Sequence, residues 1–153
     1  MKKKTVEASK ICIGNLMEPQ QANISGNVHG GEIMKLMDNT AGIVAHRHAR
    51  SNTVTARVDG LEFIKPIHIG NLVTFEGRLT FVGKSSMEVL VEVYVEDLEV
   101  ENSKRLALTG YFTMVALDEN GGPKKVPELL TEGPDEEKLF LEGKKRYLSR
   151  KNR

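Results

Sequence analysis

A chain of 153 residues, 39% hydrophobic and 28% charged, fits one soluble domain whose single core falls to Val, Ile, Leu and Met, since aromatics make up 5%. Cys12 is the one cysteine, which excludes an internal disulfide and a cysteine metal cluster, and no apolar run nears the roughly 20 residues of a membrane span. Nine of the 22 bases sit at the two ends, leaving residues 5–142 with 13 bases against 21 acids, a net of −8 that excludes a nucleic-acid-binding body.

Residues 5–13 alternate loosely and stop at Gly14-Asn15, which predicts a first strand with Cys12 as a small hydrophobe inside it. Residues 17–28 carry Pro19, Ser25, Gly26 and two asparagines without periodicity and read as a loop. A helix should open near Gly30 or Gly31. At about 100° per residue, Ile33, Met34, Met37, Ala41, Val44 and Ala45 share roughly a third of its circumference, the stripe of a helix packed on a core. Asp38 falls at the edge of that stripe, flanked one turn on by Ala41 and Gly42 and two turns on by Ala45, so a ligand can approach this buried acid. Glycine inside a helix costs about 1 kcal/mol relative to alanine, and Asp is also a poor interior residue, so stability alone does not explain the pairing. His46, Arg47 and His48 close the helix, where cations complement its dipole.

Four strands are predicted next, over residues 53–64, 72–82, 87–95 and 106–117, from β-branched and aromatic residues at alternate positions. In the third, Met87, Val89, Val91, Val93 and Val95 form one face, and Glu88, Glu92 and Glu96 share the other with Leu90 and Tyr94. Short links, Gly83-Lys84-Ser85-Ser86 among them, make the sheet antiparallel and the class α+β, with a single helix covering one face. Residues 1–130 form this domain, and residues 131–153 follow as a charged tail with a short helix over residues 135–147. The basic termini read as solvated.

The loop N-x-x-G-N-x-H-G-G, the helix x-I-M-K-x-M-D-x-x-A-G and the four long strands resemble the hotdog-fold acyl-CoA thioesterases of the cytosolic acyl-CoA hydrolase type, over roughly residues 8–117. The resemblance rests on Asn23, Gly26, Asn27, His29, Gly30, Gly31, Met37, Asp38, Ala41 and Gly42. It implies a sheet of about five strands wrapped round one central helix, homodimers joined edge to edge, and a trimer of dimers. It also implies hydrolysis of fatty acyl-CoA to free acid and coenzyme A by Asn23 and Asp38. Substrate contacts are expected at His29, Gly30, Val54, Thr55, Ala56, Arg57, Gly83, Lys84, Ser85 and Ser86. No metal or cofactor is expected, since coenzyme A is part of the substrate, and the location expected is cytoplasmic.

The residues fit that chemistry. Asp38 can act as general base on water or attack directly to give an anhydride. Asn23 offers both an amide donor and an acceptor, and the Gly31 N–H at the helix start can face an oxyanion. Gly31 and Asp38 lie about 10 Å apart along the axis at 1.5 Å per residue, too far for one thioester carbon, so Asp38 is expected to work with Gly31 and Asn23 of a neighbouring subunit. His46, Arg47, His48, Arg50, Arg57 and Lys84 are the bases available to the phosphates. A hotdog hydratase or dehydratase would pair His29 with Asp38 instead, and a non-catalytic acyl-CoA-binding regulator would carry a further partner domain.

Overall fold

The computed structural model describes residues 1–151. In chain order its elements are β1 (Lys4–Thr5), β2 (Ile11–Leu16), a 3-10 turn (Pro19–Gln21), α1 (Gly30–Ala49), β3 (Thr53–Phe63), β4 (Leu72–Val82), β5 (Ser86–Glu96), β6 (Arg105–Ala116), β7 (Leu129–Leu130) and α2 (Pro134–Lys151). Five of the strands form one antiparallel sheet in the order β2-β4-β5-β6-β3, and β1 pairs with β7 in parallel. The helix α1 packs against all five strands, which is the wrapped hotdog arrangement. Both ends of α1 fall where the sequence places them.

Alternation builds the core. Val73, Phe75 and Leu79 of β4, Met87, Val89, Val91 and Val93 of β5, and Leu108, Phe112 and Met114 of β6 are buried together with Met37, Ala41, Val44 and Ala45 of α1. Each fully buried aliphatic contributes on the order of 1.5–3 kcal/mol. Beneath the helix, one row of the sheet reads Gly77, Val91, Gly110 across β4, β5 and β6. A Cβ at Gly77 would lie 2.8 Å from Thr40 Cγ2 and 3.1 Å from Val44 Cγ2, and one at Gly110 would lie 3.3 Å from Met37 Cε. The helix therefore sits where two side chains are missing. Thr40 cannot swing away freely, because its hydroxyl donates to the Leu36 carbonyl at 2.7 Å.

The first strand of the sheet starts later than expected. Residues 6–9 make a turn after β1, with Ala8 N–H donating to Thr5 Oγ1 at 3.2 Å and Ser9 N–H to the Val6 carbonyl at 3.3 Å, while Gly14 and Asn15 lie inside β2. Cys12 is in that strand but exposed, paired in register with Glu76. The terminal helix also differs, running the full Pro134–Lys151 and lying on the sheet. Phe81 packs against Phe140 and Tyr147 with ring centroids 5.1 and 5.2 Å apart. Gly143 permits that contact, since a Cβ there would lie 2.7 Å from Phe81 Cβ. Under the helix, Glu88 is buried and accepts from Thr80 Oγ1 at 2.7 Å and from Arg146 Nη2 and Nε at 2.7 and 3.0 Å. The carboxylate is thus satisfied, and Arg146, stacked 3.9 Å over Tyr111, is half-buried against the sheet rather than part of a free tail.

His48 is likewise buried rather than free to meet a phosphate. Its Nε2–H donates to the Pro127 carbonyl at 2.6 Å, and Lys4 Nζ donates to its own carbonyl at 2.8 Å. Burial pushes its pKa down, the Pro127 bond opposes this, and the Lys4 charge adds to the lowering.

Two consequences are measurable. Gly77→Val should destabilise the fold by about 1–3 kcal/mol through overpacking, read as a lower denaturant midpoint at unchanged m. An imidazole held below its unfolded pKa of about 6.5 contributes stability that is complete above that pH and lost as pH falls through it. The drop in unfolding free energy between pH 7.5 and 5.5 should therefore be smaller in His48→Gln than in the parent chain; an equal drop would rule His48 out as its source.

Candidate active site

Helix α1 begins at His29, whose Nδ1 accepts the Gly31 N–H at 3.1 Å. That capping bond occupies the backbone donor expected to meet an oxyanion. The Gly30 N–H has no partner among the described residues, and Gly30 is exposed. Asn23 is fixed by its own turn. Its Oδ1 accepts from Ser25 N at 3.0 Å and Asn27 N at 3.1 Å, so the side-chain amide NH2 is the group left to a ligand. Asn23 and Gly30 share an apolar cavity of ≈ 240 Å³ with Val28, Ile33, Phe63 and Leu108.

Asp38 lies two turns further along α1 and is exposed. Its Oδ1 accepts a 2.6 Å hydrogen bond from Thr55 Oγ1, and Oδ2 has no partner among the described residues. The pair borders an open groove of ≈ 780 Å³ with Asn39, Gly42, Ile43 and His46 of α1 and Thr53 and Val54 of β3. No lining residue is common to this groove and the Asn23 cavity. His29 and Asp38 are nine residues apart on one helix, about 13 Å along its axis, and do not form the proton-transfer pair a hydratase would need.

The expected contacts on β3 divide between two faces. The register of β3 with β6 skips Ala56, so Thr55 pairs with Met114 and Arg57 with Thr113. Thr55 consequently points toward α1 while Arg57 points outward, donating to Asp59 Oδ1 at 3.0 Å. Arg150 of α2 reaches the other oxygen of Asp59 at 2.8 Å. The turn from Gly83 to Ser86 lies away from both cavities. Ser86 and Val54 flank Val115 on opposite sides of β6, about 10 Å apart by strand spacing, and the Lys84 and Ser85 carbonyls accept from Val126 and Ala116. Sequence reasoning placed Thr55 among substrate contacts and did not see it as the partner of Asp38. A hydroxyl 17 residues from an acid carries no local signal.

A model of the thioesterase superfamily matches residues 25–101. The cytosolic acyl coenzyme A thioester hydrolase of Mus musculus is 44% identical over 148 residues, which cover 96% of this chain and 39% of the mouse protein. The chain thus spans well under half of that relative. An uncharacterised acyl-CoA thioester hydrolase of Bacillus subtilis is 40% identical over 145 residues, covering 95% of this chain and 84% of that protein. Among solved structures, an acyl-CoA hydrolase from Staphylococcus aureus in complex with butyryl coenzyme A and coenzyme A superposes with a TM-score of 0.89 at 34% identity, over 98% of this chain and 91% of its own. That hydrolase was also solved as Asn→Ala, Asp→Ala and Thr→Ala variants, at positions 15 and 17 residues apart in turn. An apo-hexameric acyl-CoA thioesterase superposes with a TM-score of 0.93 at 32% identity, over 99% of this chain and 97% of that one. With the wrapped sheet, the matched segment from residue 25 through α1 into β5, and these relatives in agreement, the chain belongs to the thioesterase superfamily.

Proposed function

We propose that this protein hydrolyses acyl-CoA thioesters at a site shared by two copies of the chain, with Asp38 and Thr55 from one and Asn23 from the other. The observation that carries this reading is the placement of the two half-sites at opposite ends of one edge strand. Asp38 and Thr55 stand at the start of β3, and Phe63, which lines the Asn23 cavity, stands at its end. Two-fold pairing of β3 with its copy runs the strands antiparallel and brings the start of each beside the end of the other. Each half-site then meets its complement. The spacings support the same three residues, since Asn23 to Asp38 is 15 positions and Asp38 to Thr55 is 17, as in the variants of the Staphylococcus hydrolase.

Exposure of this edge argues for its being covered. Val54, Val58, Leu61, Phe63 and Ile64 are all exposed along β3 and its continuation, and Ile24 beside Asn23 is fully so. An unpaired eleven-residue edge with these apolar side chains exposed would otherwise template uncontrolled association. Residues 87–95, the other long apolar strand, lie in β5 at the centre of the sheet and present no free edge. A hexamer built as three such dimers is consistent with the hexameric neighbour.

In this mechanism Thr55 holds one oxygen of Asp38, and the free Oδ2 takes a proton from a water in the groove as that water attacks the thioester carbon. Asn23 Nδ2 and the Gly30 N–H, in place of that of Gly31, donate to the carbonyl oxygen as it becomes negative. The thiolate leaves as coenzyme A, and no cofactor is needed.

Asp38→Asn should lower kcat by about 10² or more with acyl-CoA binding nearly intact. Thr55→Ala should lower kcat more than it raises KM, and Thr55→Ser should restore it. Subunit exchange gives the sharper test: mixing inactive Asn23→Ala with inactive Asp38→Asn chains should recover activity, because one site in each mixed dimer is intact. No recovery with exchange demonstrated would place both residues in one chain's site. Separately, Val58→Glu on the edge strand should give a folded monomer by light scattering and circular dichroism, without turnover. A monomer that retains full activity would overturn the shared site.

A further inference from the structure

Asn23, Ile24, Ser25 and Gly26 are all exposed, and the turn they form closes on Asn27. The Asn23 N–H donates to the Asn27 carbonyl at 2.7 Å, and Asn23 Oδ1 accepts the Asn27 N–H at 3.1 Å. Such bonds fix the shape of the turn but not where it stands against the rest of the molecule. Its placement comes from the link between β3 and β4. The Val28 N–H donates to the Ile67 carbonyl at 3.0 Å, Asn27 and His68 form an antiparallel bridge, and His68 Nδ1 lies 2.8 Å from Asn27 Oδ1. A carbonyl oxygen only accepts, so Nδ1 carries the proton and donates it. Among the described residues, no other side chain from outside the turn bonds to residues 23–27.

His68 is itself held in place. Its N–H donates to Asn71 Oδ1 at 2.9 Å and its carbonyl accepts the Asn71 N–H at 3.1 Å. Gly70, at φ 89°, takes the left-handed bend that lets its N–H reach the Met17 carbonyl at 2.9 Å, and the Met17 N–H donates to the Asn71 carbonyl at 3.0 Å. Met17 is buried in the core. A continuous set of contacts therefore runs from the core through His68 and Asn27 to Asn23. His68 lines neither the Asn23 cavity nor the Asp38 groove, which keeps it off the reacting atoms.

We propose that His68 is a positioning residue for the reaction, aiming the Asn23 amide at the thioester carbonyl through its hydrogen bond to Asn27. This role presupposes the acyl-CoA reading given above. Asn23 Oδ1 is committed to the turn, so the direction of its free NH2 is the direction of the turn itself. Without the His68 bond, backbone contact to the β3–β4 link remains and the chain still folds, but the exposed turn can swing. A catalytic group displaced by about 1 Å can lose on the order of 10² in rate, so a slack turn costs turnover before it costs stability.

The test is a set of substitutions at His68, which is exposed, measured on the full chain with a saturated acyl-CoA. His68→Ala should lower kcat about tenfold or more while KM moves by less than about threefold. His68→Asn should recover most of that loss, because an Asn amide nitrogen and the ring Nδ1 stand equally far from Cβ and both donate. In an Asn23→Ala background, adding His68→Ala should change kcat by less than about twofold, since the group it aims is gone. Parental kcat in His68→Ala, no recovery in His68→Asn, or the same loss in both backgrounds overturns the positioning role. A second readout does not depend on turnover. Relaxation of the Asn23 side-chain NH2 in isotope-labelled protein, assigned by its disappearance in Asn23→Ala, should report greater mobility in His68→Ala and the parent's rigidity in His68→Asn. Unchanged mobility in His68→Ala also overturns the role. A parent protein that shows this mobility pattern yet never hydrolyses a thioester would refute the enzymatic reading while supporting the tether.

Discussion

The seating of α1 on the glycine row of the sheet is the constraint from which the rest of the molecule follows. Gly77 and Gly110 remove two side chains under the helix, and Thr40, Val44 and Met37 fill the space. Interiors are packed to crystal density, so that contact fixes the helix in rotation as well as in depth. With Met37 turned into the sheet, the next residue must come round toward β3, where Thr55 meets it at 2.6 Å. The position of the Asp38 carboxylate is a by-product of core packing.

The edge strand serves two purposes through one irregularity. Strict alternation would put Thr55 and Arg57 on the same face, and the extra residue Ala56 separates them. One face of β3 then presents a hydroxyl to Asp38, and the other presents Arg57 to Asp59 and so to α2. The strand that holds the acid is thereby fastened from outside by the terminal helix, through Arg150. Its outer hydrogen-bonding edge stays unpaired among the described residues.

Several polar side chains spend one group on structure and leave another free. Asn23 spends its oxygen on its own turn, and this is what leaves its NH2 outward as a donor. His29 caps α1 and in doing so consumes the Gly31 N–H, which shifts the free backbone donor to Gly30. Buried groups show the converse. Glu88 and Arg146 complete each other's hydrogen bonds between sheet and helix, and His48 is tied to Pro127, so neither pair is available to a ligand.

The sequence by itself determined the order of the main elements, the bounds of α1 and of all four long strands to within a residue, and the candidacy of Asp38, because period and glycine placement are local properties, while Asn23 was pointed to by the family resemblance. It missed the start of β2, where loose alternation over residues 5–13 concealed a turn, and the docking of α2, whose charged residues find partners only after folding. Tertiary structure alone decided that Thr55 is the partner of Asp38, that His48 is buried, that Gly31 is engaged, and that β3 stands at an edge of the sheet. The physical reason is range. Helix and strand periods are written within a few residues, whereas a hydrogen bond between positions 38 and 55, or the neighbour of a strand, depends on how those elements are stacked.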